Sequence, residues 1–166
     1  MSEEKEPTHK PVYAFSSLNK TEAHAVSPED MLKANKPLLH DLESHNQGTI
    51  VEHAIIPNNV AIGEGSIVHS RTTIRGPAII GEDCDIGPNV YIGSYTSIGD
   101  HATIRNTEIE NSIIMEGAHI DCGRRVTDSL IGRRVKILGY EQKLPKGHRL
   151  ILRDMPQSPS NPKAEP

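Results

Sequence analysis

TIVEHAIIPNNVAIGEGSIVHSRTTIRGPAIIGEDCDIGPNVYIGSYTSIGDHATI, residues 49–104, is the stretch that decides the fold. An Ile or Val returns at every sixth position: Ile50, Ile56, Ile62, Val68, Ile74, Ile80, Ile86, Ile92, Ile98 and Ile104. Two positions before each later member stands a small or slender side chain, from Ala54, Val60 and Ser66 through Cys84 to Thr96 and Ala102. Gly63, Gly81, Gly87, Gly93 and Gly99 follow directly after a member. One large aliphatic, one small residue and one turn-permitting residue per unit make the hexapeptide signature of a parallel β-helix. Three units then form a triangular coil of about 18 residues, and coils stack at roughly 4.8 Å. Ile50, Val68, Ile86 and Ile104 share one edge of that prism, and the other two edges are built in the same way.

Beyond Ile104 the beat shortens, with Ile109 and Ile114 at five-residue steps before Ile120, Val126, Ile131 and Ile137. This predicts further coils with trimmed corners, about five in all. Upstream, Ser27-Pro28-Glu29-Asp30 offers an N-cap, a proline at the first helical position and acidic residues in the first turn. Met31, Ala34, Leu38 and Leu42 are spaced for one helical face, and Pro37 is expected to end or kink the helix near Asn35 or Lys36. The expected division is a flexible arm over 1–26, carrying the apolar patch Val12, Tyr13 and Phe15, and a capping helix with linker over 27–48. An all-β helix with its closing strand follows over 49–154, and a disordered Pro-rich tail over 155–166.

Composition narrows the function classes. Aromatic residues make up 3 % of the 166, too few for an ordinary globular core, so thin aliphatic layers must supply it. The formal net charge of −4 argues for neither nucleic acid nor a membrane surface. Charge is nonetheless uneven: residues 124–153 hold nine Lys and Arg against Asp128 and Glu141. Two cysteines, Cys84 and Cys122, make no disulfide framework and no zinc cluster. Cys84 fills a small-residue slot and is expected to be an inert packed thiol, whereas Cys122, beside Gly123 at a corner, is expected to be exposed. The charged start MSEEKEPTHK and the absence of a long apolar run lead to the expectation of a cytoplasmic protein.

Ser27-Pro28-Glu29-Asp30-Met31-Leu32-Lys33-Ala34-Asn35 resembles the T-P-E-D-L-L-E-A-N helix of the long-form glucose-1-phosphate thymidylyltransferases and related sugar-phosphate nucleotidyltransferases. Ile74-Arg75-Gly76-Pro77, Ile86-Gly87-Pro88-Asn89, Tyr95-Thr96-Ser97-Ile98-Gly99-Asp100 and Glu110-Asn111-Ser112-Ile113-Ile114-Met115 are similar to stretches of that family's β-helix, and Gly147-His148-Arg149-Leu150 to its closing strand. The resemblance covers 27–154 and implies left-handed winding. It also implies what is missing: the family's phosphate-cradling G-x-G-x-R-L-x-P loop does not occur, and Glu22 and His24 stand where W-x-D-x-G places Trp and the metal-binding Asp. Nucleotidyl transfer needs both a phosphate cradle and metal carboxylates, so this chain is not expected to catalyse it alone.

Hexapeptide proteins also include acyltransferases that use a His as general base between subunits. His69, His101 and His119 are the candidates, with His53 a fourth coil histidine, but they fall one, three and five places after their aliphatic residues and do not converge on one edge. Zinc chemistry of the γ-carbonic-anhydrase kind needs three His at adjacent subunit edges, and resemblance to that family would put the second and third five residues apart, a spacing the coil histidines lack. Arg124, Arg125, Arg133 and Arg134 are a candidate anion site, although pairs nine residues apart face different edges. The leading expectation is a non-catalytic assembly or regulatory domain with no cofactor or metal. It is expected to be a homo-oligomer, a trimer by family resemblance, or to act with a sugar-phosphate nucleotidyltransferase. The alternative is a hexapeptide acyltransferase using acyl-CoA.

Overall fold

The computed structural model describes residues 27–139 and the backbone of the short strand 151–152. The expected arm over 1–26, the stretch 147–150 and the tail over 155–166 lie outside the described residues. One helix, α1 (Pro28–His40), precedes the strands. In order these are β1 (His45–Asn46), β2 (Thr49–Ile50), β3 (Val60–Ile62), β4 (Ile67–Val68), β5 (Thr72–Ile74), β6 (Ala78–Ile80), β7 (Asp85–Ile86) and β8 (Val90–Ile92). They continue as β9 (Thr96–Ile98), β10 (Thr103–Arg105), β11 (Glu108–Glu110), β12 (Ile113–Ile114), β13 (His119–Asp121), β14 (Arg125–Thr127), β15 (Leu130–Ile131), β16 (Lys136–Leu138) and β17 (Ile151–Leu152).

Every pairing is parallel, and the strands fall into three sheets, the faces of a triangular solenoid. Face one runs β1-β3-β6-β9-β12-β15-β17, face two β2-β4-β7-β10-β13-β16, and face three β5-β8-β11-β14. The sixfold beat therefore reads the architecture correctly. Seven strands on face one amount to about six turns, one more than the sequence beat counts. The difference lies at the start, where β1 pairs with β3 inside the segment expected to be linker, with no Ile or Val to mark it.

The register shows why the period is obeyed. Val68, Ile86, Ile104 and Ile120 are direct cross-strand partners in one inward column, and all four are fully buried. Ile62, Ile80, Ile98, Ile114 and Ile131 form the second column, and Ile74, Ile92, Ile109 and Val126 the third. Each buried aliphatic contributes roughly 1.5–3 kcal/mol, and close stacking of like side chains leaves no room for a missed slot. The corners demand left-handed backbone, supplied by Asn89, Asn106, Asn111 and Asp128 as well as by glycine. Gly63 answers a different constraint: a Cβ there would sit 2.6 Å from the Gly81 backbone in the next coil.

The helix departs from expectation in three ways. It runs through Pro37 to His40 instead of stopping before it. Its inward face is Leu32, Asn35 and Leu39, with Leu42 just beyond, whereas Ala34 and Leu38 are exposed. It also lies along face one instead of capping an end. Leu39 and Leu42 pack on Ala61 and Ile79 of the early coils, while Leu32 and Met31 pack on Ile113 and Leu130 of the late ones. Thirteen residues at a 1.5 Å rise give about 20 Å. The four strand spacings from β3 to β15 give about 19 Å, so the lengths match. Midway, Ser97 Oγ donates to Asn35 Oδ1 at 2.7 Å and Asn35 Nδ2 donates to the Tyr95 carbonyl at 3.0 Å. An interior proline costs about 3 kcal/mol, less than burying two leucines and pairing Asn35 contribute. The break falls on the exposed side, where Lys33 and Pro37 meet water.

Both cysteines are buried, which bears out the expectation for Cys84 and overturns it for Cys122. Cys122 lies two places after the inward Ile120, stacked on Thr107, whose hydroxyl accepts from the Cys122 N–H at 3.3 Å. Burial is the main cause that pushes the Cys84 thiol from 9.0 up to about 11, partly opposed by hydrogen bonds from Ala102 and Ser66.

Two outcomes follow for stability. Asn35→Ala should lower unfolding free energy by about 1–3 kcal/mol in urea titration, because it strands Ser97 and the Tyr95 carbonyl, whereas Leu38→Ala should change it by less than about 0.5 kcal/mol. The unfolded chain loses the Cys84 proton above pH 9 while the folded chain keeps it to about 11, so stability at this site is intact below pH 9 and lost as pH rises toward 11. Thermal melts from pH 8 upward should fall more steeply for the wild type than for Cys84→Ala, the gap reaching about 2 kcal/mol by pH 11.

Candidate functional site

On face two the outward side chains form two columns. The residue before each inward aliphatic gives Ile67, Asp85, Thr103, His119 and Lys136 in register. The residue after it gives Val51, His69, Gly87, Arg105, Asp121 and Leu138, the last three as direct partners. Polar side chains converge around Asp85: His69 Nε2 stands 2.7 Å from its Oδ1, and an Arg105 guanidinium nitrogen donates to its Oδ2 at 2.9 Å. All three are half-buried or exposed. Gly87 lies between His69 and Arg105 in that column, where a side chain would strike Thr72 Oγ1 at 2.4 Å. A Cβ would come within 3.0 Å of His69 Cβ, and a φ of +109° further favours glycine. A carboxylate that fixes one imidazole nitrogen leaves the other to take or give a proton, the arrangement a general base requires.

His119 shares this face but belongs to the Asp85 column two strands further on, roughly 10 Å along the axis. The sequence offsets hid the relation, because five places after one Ile is one place before the next. His69 and His119 thus share a face without converging, and of the two His69 meets a carboxylate at hydrogen-bonding distance there. His101 sits at an exposed corner with a φ of +57°, its Nδ1 3.8 Å from Asp83 Oδ2, and His53 occupies another exposed corner.

The arginine pairs stay apart, as their spacing indicates. Arg124 precedes and Arg125 opens β14 on face three, where Arg125 pairs with Glu110, whose hydrogen bond and charge raise its pKa. Arg133 and Arg134 turn the corner between β15 and β16, with the Arg134 N–H bonded to the Glu116 carbonyl at 2.9 Å. Other polar side chains join successive coils in the same manner. Asn89 donates to Asn106 and Asn106 to Asp121, both at 3.0 Å. Among the described residues no group of three or more His, Cys, Asp or Glu stands close enough to hold a metal ion, and no helix is long and apolar enough to cross a membrane. Asp85 and Arg105 escaped the sequence reading. Their signal was present in the outward slots that flank Ile86 and Ile104.

Comparison with known proteins places this architecture. The sequence profile of the GMPPB C-terminal domain matches residues 70–142. A glucose-1-phosphate thymidylyltransferase of Streptomyces antibioticus is 41 % identical over 125 residues, covering 75 % of this chain and 34 % of its own length. The low-salt glycan biosynthesis nucleotidyltransferase Agl11 of Haloferax volcanii is 32 % identical over 125 residues, covering 75 % and 35 %. The chain thus spans about a third of the length of the curated relatives it matches. In fold it is similar to PerB from Caulobacter crescentus, solved in complex with CoA and GDP-perosamine, with a TM-score of 0.58 at 17 % identity over 75 % of this chain and 64 % of that one. The solenoid of this chain accordingly belongs to the sugar-phosphate nucleotidyltransferase family, as a β-helix domain of the C-terminal type.

Proposed function

We propose that this chain is an assembly or regulatory domain of nucleotide-sugar biosynthesis. It packs laterally, as a trimer or against a sugar-phosphate nucleotidyltransferase in the cytoplasm, and transfers no nucleotidyl group by itself. The observation that carries this reading is the 41 % match confined to a third of a thymidylyltransferase. The faces support it: α1 covers face one, while faces two and three hold outward charges in coil-to-coil pairs such as Arg105 with Asp85 and Arg125 with Glu110. Side chains so paired make a stiff, even wall, the kind of surface that packs against another wall.

One observation favours a second reading, acyl transfer from acyl-CoA: Asp85 holds His69 by Nε2, and His69 Nδ1 makes no hydrogen bond among the described residues. In that reading His69 is the general base and Asp85 its orienting partner. A thermal-shift panel of acyl-CoAs, nucleoside triphosphates, sugar phosphates and zinc, run with light scattering, separates the two. Indifference to all four with a stable oligomer is the expected result. An acyl-CoA shift that disappears in His69→Ala would overturn the assembly reading in favour of the enzyme.

A further inference from the structure

Among the described residues six large apolar side chains stand exposed, and four of them, Ile50, Val51, Ile55 and Ile67, gather in the first two coils. Ile55 is 63 % exposed. The first coil consists of β1, β2 and the single bridge of Ile55 to Thr73, and its outer edge meets no strand among the described residues. Thr49 and Val51 donate their N–H groups to the Ser66 and Val68 carbonyls of the second coil. Alternation along a parallel strand turns the N–H and C=O of Ile50 the opposite way, toward the open edge of β2. Its side chain begins the inward column of face two, with no coil stacked beyond it among the described residues. Face one differs, for there the terminal inward position is Asn46, whose Oδ1 accepts from the Gly48 N–H at 3.0 Å. The open edge is therefore apolar along β2 and toward Ile55, and polar along β1. An apolar edge of this sort is a template for a further strand.

Charge and connectivity select the strand that fits. Residues 41–70 hold Asp41, Glu43, Glu52 and Glu64, all exposed, and no Lys or Arg, so the complement is an apolar segment carrying positive charge. Three stretches of this chain lie outside the described residues: 1–26, 140–150 and 153–166. Residues 140–150 run from β16 to β17 at the far end of the prism. Residues 153–166 leave that same end with four prolines and Met155 as their one large apolar side chain. In the first stretch, residues 10–20 hold Lys10 and Lys20, no Asp or Glu, and the strand-forming run Val12-Tyr13-Ala14-Phe15. They are also within reach. α1 sets out from the late coils, where Met31 and Leu32 pack on Ile113 and Leu130. From β15 back to β1 is five strand spacings, about 24 Å, whereas the chain from Phe15 to Ser27 extends to about 40 Å, enough to cover that height and turn the end of the prism.

We propose that residues 12–15 add to the open edge of β2 in their own molecule, pairing with the Ile50 backbone and covering Ile50, Val51 and Ile55 with the Tyr13 and Phe15 rings. Lys10 and Lys20 then lie among the carboxylates of the first coils. The segment that leads into α1 from the late coils closes the opposite end, and the edge is withdrawn from strands of other chains. The contact uses an end of the prism and not a face, so it stands apart from the lateral packing proposed above.

Hydrogen exchange of the full chain, read by mass spectrometry, tests this. Residues 10–20 and 48–56 should both exchange at least about tenfold more slowly in the wild type than in Tyr13→Glu with Phe15→Glu. The reciprocal pair, Val51→Glu with Ile55→Glu, should release residues 10–20 to the same degree, and circular dichroism checks the fold of both variants. Dilution should leave the wild-type rates unchanged, because the contact lies within one molecule. Residues 10–20 that exchange as fast in the wild type as in either variant overturn the proposal. So does slow exchange of 48–56 that persists in Tyr13→Glu with Phe15→Glu, since another occupant then covers the edge. Protection lost on dilution overturns it too, in favour of a contact with a second copy.

Discussion

The distance between stacked coils, roughly 4.8 Å, is the constraint on which everything else depends. At that spacing a side chain pointing inward touches its counterpart in the coil below, so each column must be uniform in size. Val68, Ile86, Ile104 and Ile120 satisfy it on one edge, and two further columns satisfy it on the others. The same distance sets the corners, where Gly63 lies too close to Gly81 for any side chain. Outward residues inherit the order: Asp85 reaches His69 in one coil and Arg105 in another because the strands hold their two outward columns in register.

This dependence explains what the sequence disclosed and what it concealed. The solenoid was legible because each residue's environment is fixed by its neighbours six and eighteen places away, a local rule written in Ile and Val. Trimmed corners after Ile104 were legible for the same reason. The helix obeys no such rule. Leu32, Asn35 and Leu39 and the rival set Met31, Ala34 and Leu38 both fit a helical stripe, and only the outward row Ala61, Ile79, Ser97, Ile113 and Leu130 chooses between them. Asn35 reads as a surface residue until Ser97 stands opposite it. Cys122 was misplaced through its neighbour Gly123, although Thr107 one coil earlier already marked an inward slot.

The histidines show the same limit in the site. Their positions within the repeat were readable, but their partners were not, because a contact between His69 and Asp85 joins different coils through residues on opposite sides of an aliphatic slot. Counting from the preceding Ile also separated His119 from the surface it occupies. Outward slots carry no periodic pressure, so they are free to differ from coil to coil. That freedom is why chemistry peculiar to one solenoid is found there, and why its family resemblance resides in the inward columns and in the helix.

The placement of α1 alters how the molecule holds together. A stack of repeats ordinarily touches only its nearest neighbours, and its ends can fray while the middle stays intact. Here one rod, chemically continuous with the first coil, is fastened to Ala61 and Ile79 at one end and to Ile113 and Leu130 at the other. Loosening a late coil removes part of the rod's seat, and that loss is transmitted to the early coils through the rod itself. The helix also precedes the coils in the chain, so its docking must await strands completed about a hundred residues later. A chain built from near-identical layers thereby melts as one cooperative body, with its ends coupled across the whole length of the prism.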